Sequence, residues 1–255
     1  MILLTAMAAS RKPGAVPTAP SVRSLVGHLR RRGEDVRVLV PESEAHGWPD
    51  DVPVHLGPVT DPAAFAAAAS GADRVFLAGL VGESLSSLRM LTDALVTGGI
   101  RRVVVLGSHG SDFEDEISEE TWQWSAFERC LEVRGIGWVR LRPTAVMANA
   151  SVGGYPIPGS AAVEAVRLRG EVHEHFPDSP YAFIHEDDLA EIAATLLLDD
   201  VHRGTVDVSG TAVTARERLA ALNSALGTDA RIVELSAEQA ADRWRHEGGP
   251  RTRSR

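Results

Sequence analysis

Met1-Ile2-Leu3-Leu4-Thr5, then Ser21–Arg32, then Val36-Arg37-Val38-Leu39-Val40: these three stretches decide the fold. The first and third are short β-branched and leucine runs, which read as buried strands. The middle one places Val22, Leu25, Val26 and Leu29 at i, i+3, i+4 and i+7, one face of a helix. Strand, helix and strand of this kind form a parallel pair with a crossover. The alternation continues through candidate strands Val54–Leu56, Arg74–Ala78, Arg102–Gly107 and Trp138–Leu141. Helices are predicted after Asp61-Pro62, over Ser84–Thr97 and over Thr121–Arg134. Asp61 is a good N-cap, and Pro62 suits the first helical position. Repeated units of this type, joined by right-handed crossovers, give an α/β fold: a doubly wound parallel sheet of Rossmann type.

Residues 6–20 break the expected pattern of such a fold. A glycine-rich turn normally follows the first strand and lets the backbone approach a pyrophosphate. Here the chain reads Ala6-Met7-Ala8-Ala9-Ser10-Arg11-Lys12-Pro13-Gly14-Ala15-Val16-Pro17-Thr18-Ala19-Pro20. Gly14 is its sole glycine. Proline offers no N–H and cannot adopt positive φ. The frame of a nucleotide-binding fold is present, while its phosphate cradle is altered.

Composition sets further bounds. The 255 residues allow one good core with an appendage. A net charge of −9 argues against a nucleic-acid partner. The single cysteine, Cys130, cannot close an internal disulfide, which suits a reducing cytoplasm. No apolar run of about 18 residues predicts a membrane span, and the N-terminal strand predicts no signal peptide. Lys12 is the only lysine. Beyond Arg142-Pro143 the pattern loosens. Helices near Ser160–Arg169, Glu186–Leu198, Thr214–Leu226 and Ala237–Arg245, with strands Thr205–Ser209 and Arg231–Leu235, read as a small substrate-covering region. The expected division is a Rossmann-type domain over 1–147, a C-terminal substrate-binding region over 148–247 interleaved with the sheet, and a disordered tail over 248–255.

Several segments then carry a resemblance. They are Gly57-Pro58-Val59-Thr60-Asp61-Pro62, Ala72-Asp73-Arg74-Val75-Phe76-Leu77 and Arg101-Arg102-Val103-Val104-Val105-Leu106-Gly107-Ser108. Trp138-Val139-Arg140-Leu141-Arg142-Pro143 with Met147-Ala148-Asn149, and Phe183-Ile184-His185-Glu186-Asp187-Asp188-Leu189-Ala190, complete the set. In this order the chain resembles the NmrA-like branch of the atypical short-chain dehydrogenase/reductases. The resemblance implies an NAD(P) cofactor and either reductase activity or non-catalytic sensing. The departures fall where that cofactor would sit. The family's Gly-x-x-Gly-x-x-Gly matches about Val16, Ala19 and Val22 here. Pro41 stands where an arginine often meets the NADP phosphate, and Gly57-Pro58 replaces a usual Gly-Asp. The Tyr-x-x-x-Lys proton relay is absent, since neither Tyr155 nor Tyr181 has a lysine four residues on. The resemblance thus implies NAD(P), the site residues argue against it, and the cofactor, NAD(P) or none, stays open at this point.

The candidate chemistry follows. Ser108 and His109 come directly after the fifth strand, at the edge where open α/β sheets bind ligands, and His109 could act as general acid/base. The alternative is a solvated polar loop. The acidic run Asp112–Glu120 lacks the spacing of a metal cage, so no metal site is predicted. Trp122 and Trp124 would form a wall for a flat or apolar ligand, with core packing the alternative. Glu128 matches a glutamate common in the family, as either a catalytic or a structural group. His173, His175, Tyr181 and His185 are expected in a linker, and His185 is the best acid/base candidate among them. Asn149, Tyr155 and Tyr181 could hydrogen-bond a substrate oxygen. Arg11, Lys12 and Gly14 would hold phosphate if a dinucleotide binds. Asp188 is expected to anchor its helix.

Three functions compete: a tailoring enzyme of specialised, polyketide-like metabolism running cofactor-independent cyclisation, isomerisation or dehydration; an NAD(P)H-dependent reductase of a quinone or polycyclic ketone; and a non-catalytic sensor. A small-molecule substrate is the expected partner, with no nucleic acid or membrane, and a homodimer is compatible with the exposed helices of such folds.

Overall fold

A computed structural model describes residues 1–7, 18–78, 80, 84–107, 119–151 and 162–246; the side chains of 119–122, 150, 151 and 244 lie outside that description. The chain divides into two compact units. The first comprises Met1–Thr144 with Glu186–Val208, and the second Ala145–His185 with the described residues from Ser209 onward.

The first unit is built on β1 (Ile2–Thr5), α1 (Ala19–Arg31), β2 (Val36–Val40), β3 (Val54–Leu56), α2 (Pro62–Ala69), β4 (Arg74–Leu77), α3 (Leu85–Thr97), β5 (Arg102–Leu106), α4 (Glu119–Val133) and β6 (Gly137–Pro143). The chain passes through the second unit and returns with α6 (Glu186–Leu198) and β10 (Gly204–Val208). The seven strands lie in the order β3-β2-β1-β4-β5-β6-β10, every neighbouring pair parallel. Strand order reverses between β1 and β4. This is the Rossmann-like α/β fold expected from the alternating pattern.

A parallel sheet carries crossover helices on both faces, so its inner strands are mostly apolar. Ile2, Leu3 and Leu4 are all fully buried. Against one face, Phe65 of α2, Leu88, Leu91 and Leu95 of α3 and Phe127 of α4 join Leu3, Val75 and Val103 in one core. α1 and α6 pack together as a second pair. Their join includes His28 on α1, whose Nε2 lies 3.0 Å from Oδ1 of Asp187. That hydrogen bond, the largest influence, holds the Asp187 carboxyl below its usual range. Asp187, next to the Asp188 expected to anchor this helix, makes this contact to α1.

Local chemistry accounts for most boundaries. The Asp61 side chain accepts from the amides of Ala63 and Ala64 at 2.9 and 3.2 Å, and Pro62 follows it. Ser84 accepts from Ser87 N–H to start α3. α1 begins at Ala19, two positions before the apolar spacing indicated, because Pro20 is well suited to a first helical turn.

In the second unit, β7 (Ala145–Val146), β9 (Tyr181–Ile184) and β11 (Thr211–Val213) form a three-stranded sheet, and β8 (Glu171–Glu174) pairs with β12 (Arg231–Glu234). α5 (Ala162–Arg169), α7 (Ala215–Leu226) and α8 (Ala237–His246) accompany them. The predicted linker around His173 and Tyr181 is in fact strand: His173 sits on β8 and Tyr181 on β9. These strands are too short, and too rich in charged or exposed residues, to show a period in sequence. α7 is closed by a capping box between Thr214 and Glu217 and ends at Gly227, whose φ of 65° is left-handed.

The C-terminus of α6 is held by two arginines of the sheet's amino-terminal edge. Arg102, 1% exposed, donates from Nε and Nη2 to the Leu196 carbonyl at 3.1 and 2.8 Å, and from Nη1 to the His202 carbonyl at 2.5 Å. Arg74 donates to the Leu197 carbonyl at 2.5 Å and pairs with Asp200 at 2.9 Å. Cations there satisfy orphan carbonyls and oppose the helix dipole. Arg102→Ala would leave these buried acceptors unpaired, costing about 3 kcal/mol, or about 6–12 °C in Tm for a chain of this size. The neighbouring Arg101→Ala, at an exposed side chain, should change stability by less than about 0.5 kcal/mol. Equal losses from both in thermal denaturation would contradict this role for Arg102.

Candidate functional site

Open α/β sheets bind ligands outside the carboxyl ends of their strands, where the strand order reverses. In this chain that place lies at the ends of β1 and β4. The two strands are joined there by Thr5, whose buried hydroxyl donates to the Ala78 carbonyl at 2.8 Å and accepts from the Ala78 amide at 2.7 Å. Beyond β1, Ala6 N–H bonds the Leu39 carbonyl at 3.2 Å. The Met7 amide donates to Thr18 Oγ1 at 2.8 Å, and the Thr18 amide returns a bond to the Met7 carbonyl at 3.0 Å. These two bonds set the start of α1 beside the end of β1.

The first turn of α1 contains no acidic residue, so the positive end of its dipole is unopposed there. Pro20 removes one amide from that turn, leaving Ala19 and Ser21 to supply donors. Further along the edge, the last residue of β2, Val40, accepts from Gly57 N–H at 2.9 Å. Gly57 has φ +148°, and a Cβ on it would come within 2.7 Å of the Ala64 Cβ. The glycine therefore lets the chain after β3 press against α2. Pro41 follows β2 in extended conformation and leads into a 3-10 turn over Glu42–Glu44.

At the other side of the switch point, Glu128 of α4 meets Arg140 of β6. Glu128 Oε1 lies 2.9 Å from Arg140 Nε, with both side chains largely buried. Arg140 also donates to Thr205 Oγ1 of β10 at 3.4 Å. Gly107, just beyond β5, leaves room for the arginine stem: a Cβ there would sit 3.0 Å from Arg140 Cγ. Burial, the largest influence, pushes the Glu128 carboxyl above its usual range, while Arg140 pulls it down and Glu132 adds to the rise. Glu128 is thus a buried carboxyl held by the Arg140 guanidinium, just below the strand edge that carries Gly107.

The other candidates are placed as follows. Trp124 is 3% exposed and packs in the core with Phe127 and Leu131; Trp122's side chain is not described. Ser108, His109, Tyr155, Arg11, Lys12 and Gly14 lie outside the described residues. In the second unit, β7 and β9 run parallel, with Val146 opposite Ile184. Asn149, buried, and His185, exposed, therefore both follow the carboxyl ends of this strand pair. Tyr181 is half exposed at the start of β9, edge-on to Phe183 with ring centroids 5.6 Å apart. His173 pairs with Glu171 at 3.0 Å and contacts Arg243. His175 bonds the Leu235 carbonyl. Among the described residues no group of three or more His, Cys, Asp or Glu side chains is placed to hold a metal, and no helix is long and apolar enough to cross a membrane.

The sequence reading did not single out Arg140. Its signal was present: an arginine between Val139 and Leu141 in a strand buried on both faces requires a partner. Replacing it tests the pair. A carboxyl whose native pKa is raised binds more protons folded than unfolded above its ordinary value of 4.5, so stability falls as pH rises through that window. Arg140→Met removes the counter-charge and steepens the fall, with a loss of about 3 kcal/mol at pH 8 and a smaller loss at pH 5. Adding Glu128→Gln should flatten the dependence. Urea midpoints at the two pH values report it, and a loss independent of pH would contradict the pairing.

Comparison with known proteins places this geometry. A family model described as NAD(P)H-binding matches residues 22–200. The match begins inside α1, after the altered turn, and ends just past α6. A (4-alkanoyl-5-oxo-2,5-dihydrofuran-3-yl)methyl phosphate reductase from Streptomyces griseus is 30% identical over 223 residues, covering 86% of this chain and 74% of that protein. An NAD(P)H azoreductase from Xenophilus azovorans is 25% identical over 187 residues, 72% of this chain and 62% of that one. Among solved structures, an NADPH-dependent quinone oxidoreductase from Escherichia coli complexed with NADPH superposes with a TM-score of 0.69 at 19% identity, covering 98% of this chain and 84% of the other. A triphenylmethane reductase from Citrobacter reaches 0.70 at 17% identity, covering 98% and 84%. At such identities the likeness to the solved structures is one of fold. The family match is broader evidence: this chain belongs to the NAD(P)H-binding family, in the NmrA-like branch of the atypical short-chain dehydrogenase/reductases.

Proposed function

We propose that this protein is an NAD(P)H-dependent reductase of a small, flat or apolar acceptor, such as a quinone or a polycyclic ketone. The observation that carries the reading is the family match across residues 22–200, lying on a sheet whose order reverses between β1 and β4. The reductases among its relatives support the reaction class.

When bound, a dihydronicotinamide would supply hydride to the acceptor. The chain's own contribution begins with α1. Its first turn, free of acidic residues, offers a pyrophosphate the Ala19 and Ser21 amides and the positive dipole end. Thr5 and Ala78 fix the spacing of β1 and β4 beneath it. Ser108 and His109, which follow β5 in sequence, are candidates for donating a proton to the acceptor's oxygen; in the second unit, Asn149 and His185 follow the carboxyl ends of β7 and β9 as separate polar candidates. The Glu128–Arg140 pair stiffens the ground under residue 107 and serves as a positioning element.

One observation favours a second reading, cofactor-independent acid/base chemistry in a specialised biosynthetic route. Pro20 takes an amide from the α1 N-terminus, and the glycines that would compensate are missing from residues 6–20 apart from Gly14.

Calorimetric titration of the full chain with NADH and NADPH separates the two. The reductase reading expects saturable micromolar binding of at least one reduced cofactor, followed by its oxidation when a naphthoquinone is added. Absence of binding up to millimolar concentration overturns it in favour of chemistry without a dinucleotide.

A further inference from the structure

We infer that the dinucleotide preferred by this chain is NADH, and that the turn after β2 enforces the choice against NADPH. The inference rests on the reductase reading above.

In a doubly wound sheet the adenosine ribose lies against the carboxyl end of the strand next to β1. A carboxylate there accepts hydrogen bonds from the ribose hydroxyls, whereas a 2′-phosphate requires a cation or free amides. In this chain the strand is β2. Val40 ends it, Pro41 follows with φ −66° and ψ 158°, and Glu42–Glu44 form the 3-10 turn. Proline contributes no amide at the first position beyond the strand. The Glu44 amide is bound to the Pro41 carbonyl at 2.9 Å and the Ala45 amide to the Glu42 carbonyl at 3.2 Å. The turn thus spends two of its donors on itself. Exposed Glu42 and the half-buried Glu44 give the corner negative charge.

Arg23 of α1 is the cation that contacts this turn among the described residues, and it is already committed. Its Nη2 lies 3.1 Å from Glu44 Oε2 and 3.1 Å from the His46 carbonyl oxygen. Its guanidinium also stacks 4.9 Å from the centre of the Trp48 ring. Gly47, at φ +82°, packs against the same guanidinium, with its virtual Cβ 3.5 Å from Nε. To meet a 2′-phosphate through Nη2, Arg23 would have to leave a carboxylate and a carbonyl. The dianion would then confront Glu42 and an unpaired Glu44. A ribose carrying a free 2′-hydroxyl meets none of these obstacles and finds an acceptor in Glu42.

Equilibrium titration of the full chain with NADH and with NADPH at equal ionic strength tests the inference without reference to turnover. The expected result is an NADH Kd at least tenfold below that for NADPH. Glu42→Gln, at an exposed position, should weaken NADH and narrow the ratio. Glu44→Gln, which releases Arg23, should tighten NADPH while leaving NADH little changed. NADPH bound as tightly as NADH, or more tightly, overturns the assignment of the corner while leaving the reductase reading intact. Binding of neither cofactor overturns the reductase reading, and this inference falls with it.

Discussion

A sheet made only of parallel strands gives neither face to water. Crossover helices cover both sides, so a polar group on an inner strand must find its partner inside the protein. That constraint organises the first unit. It explains why Ile2, Leu3 and Leu4 are fully buried and why the buried Thr5, Arg102 and Arg140 have partners inside the protein. Thr5 returns both its hydrogen bonds to Ala78. Arg102 spends its guanidinium on carbonyls of Leu196 and His202. Arg140 lies against Glu128 and reaches Thr205.

These interactions are not spread at random over the sheet. Arg74 and Arg102 act at its amino-terminal edge, where they fasten the end of α6 and make that side structural. Thr5 and the Glu128–Arg140 pair belong toward the carboxyl end, where the loops emerge. Rigid support under those loops matters because binding groups on loops are only as well placed as the elements beneath them. Gly107 shows the coupling directly. It lacks a side chain where the Arg140 stem passes, so the buried pair and the strand edge above it share one packing arrangement.

Along that edge the sites for a dinucleotide are modified to different degrees. The helix that would face a pyrophosphate keeps its dipole but gives up an amide at Pro20. The corner that would face the adenosine ribose carries carboxylates and a guanidinium already bound by Glu44, His46 and Trp48. The strand order is retained around both, and the family match covers the ribose corner. The strand order of a dinucleotide-binding sheet is kept, and under the proposed reading the charges at the ribose corner favour a neutral hydroxyl over a phosphate.

The sequence by itself determined the strands and helices of the first unit, because their signals are local: apolar runs for β1, β2 and β5, a 3.6-residue period for α1, and the Asp61-Pro62 start of α2. Glu128 was singled out through the resemblance, which matches it to a glutamate common in the family's helix. The edge strand β10, with its half-exposed alternation, was legible as a strand but not as the seventh member of the main sheet, and the polar β8 and short β7, β9 and β11 gave no periodic signal. Only the tertiary structure decided the partners. Arg140 reaches Glu128, Arg102 reaches Leu196, and Arg23 reaches Glu44 across long stretches of chain. Which residues meet at such distances is fixed by strand order and helix packing, whereas propensity and periodicity act only within a few residues.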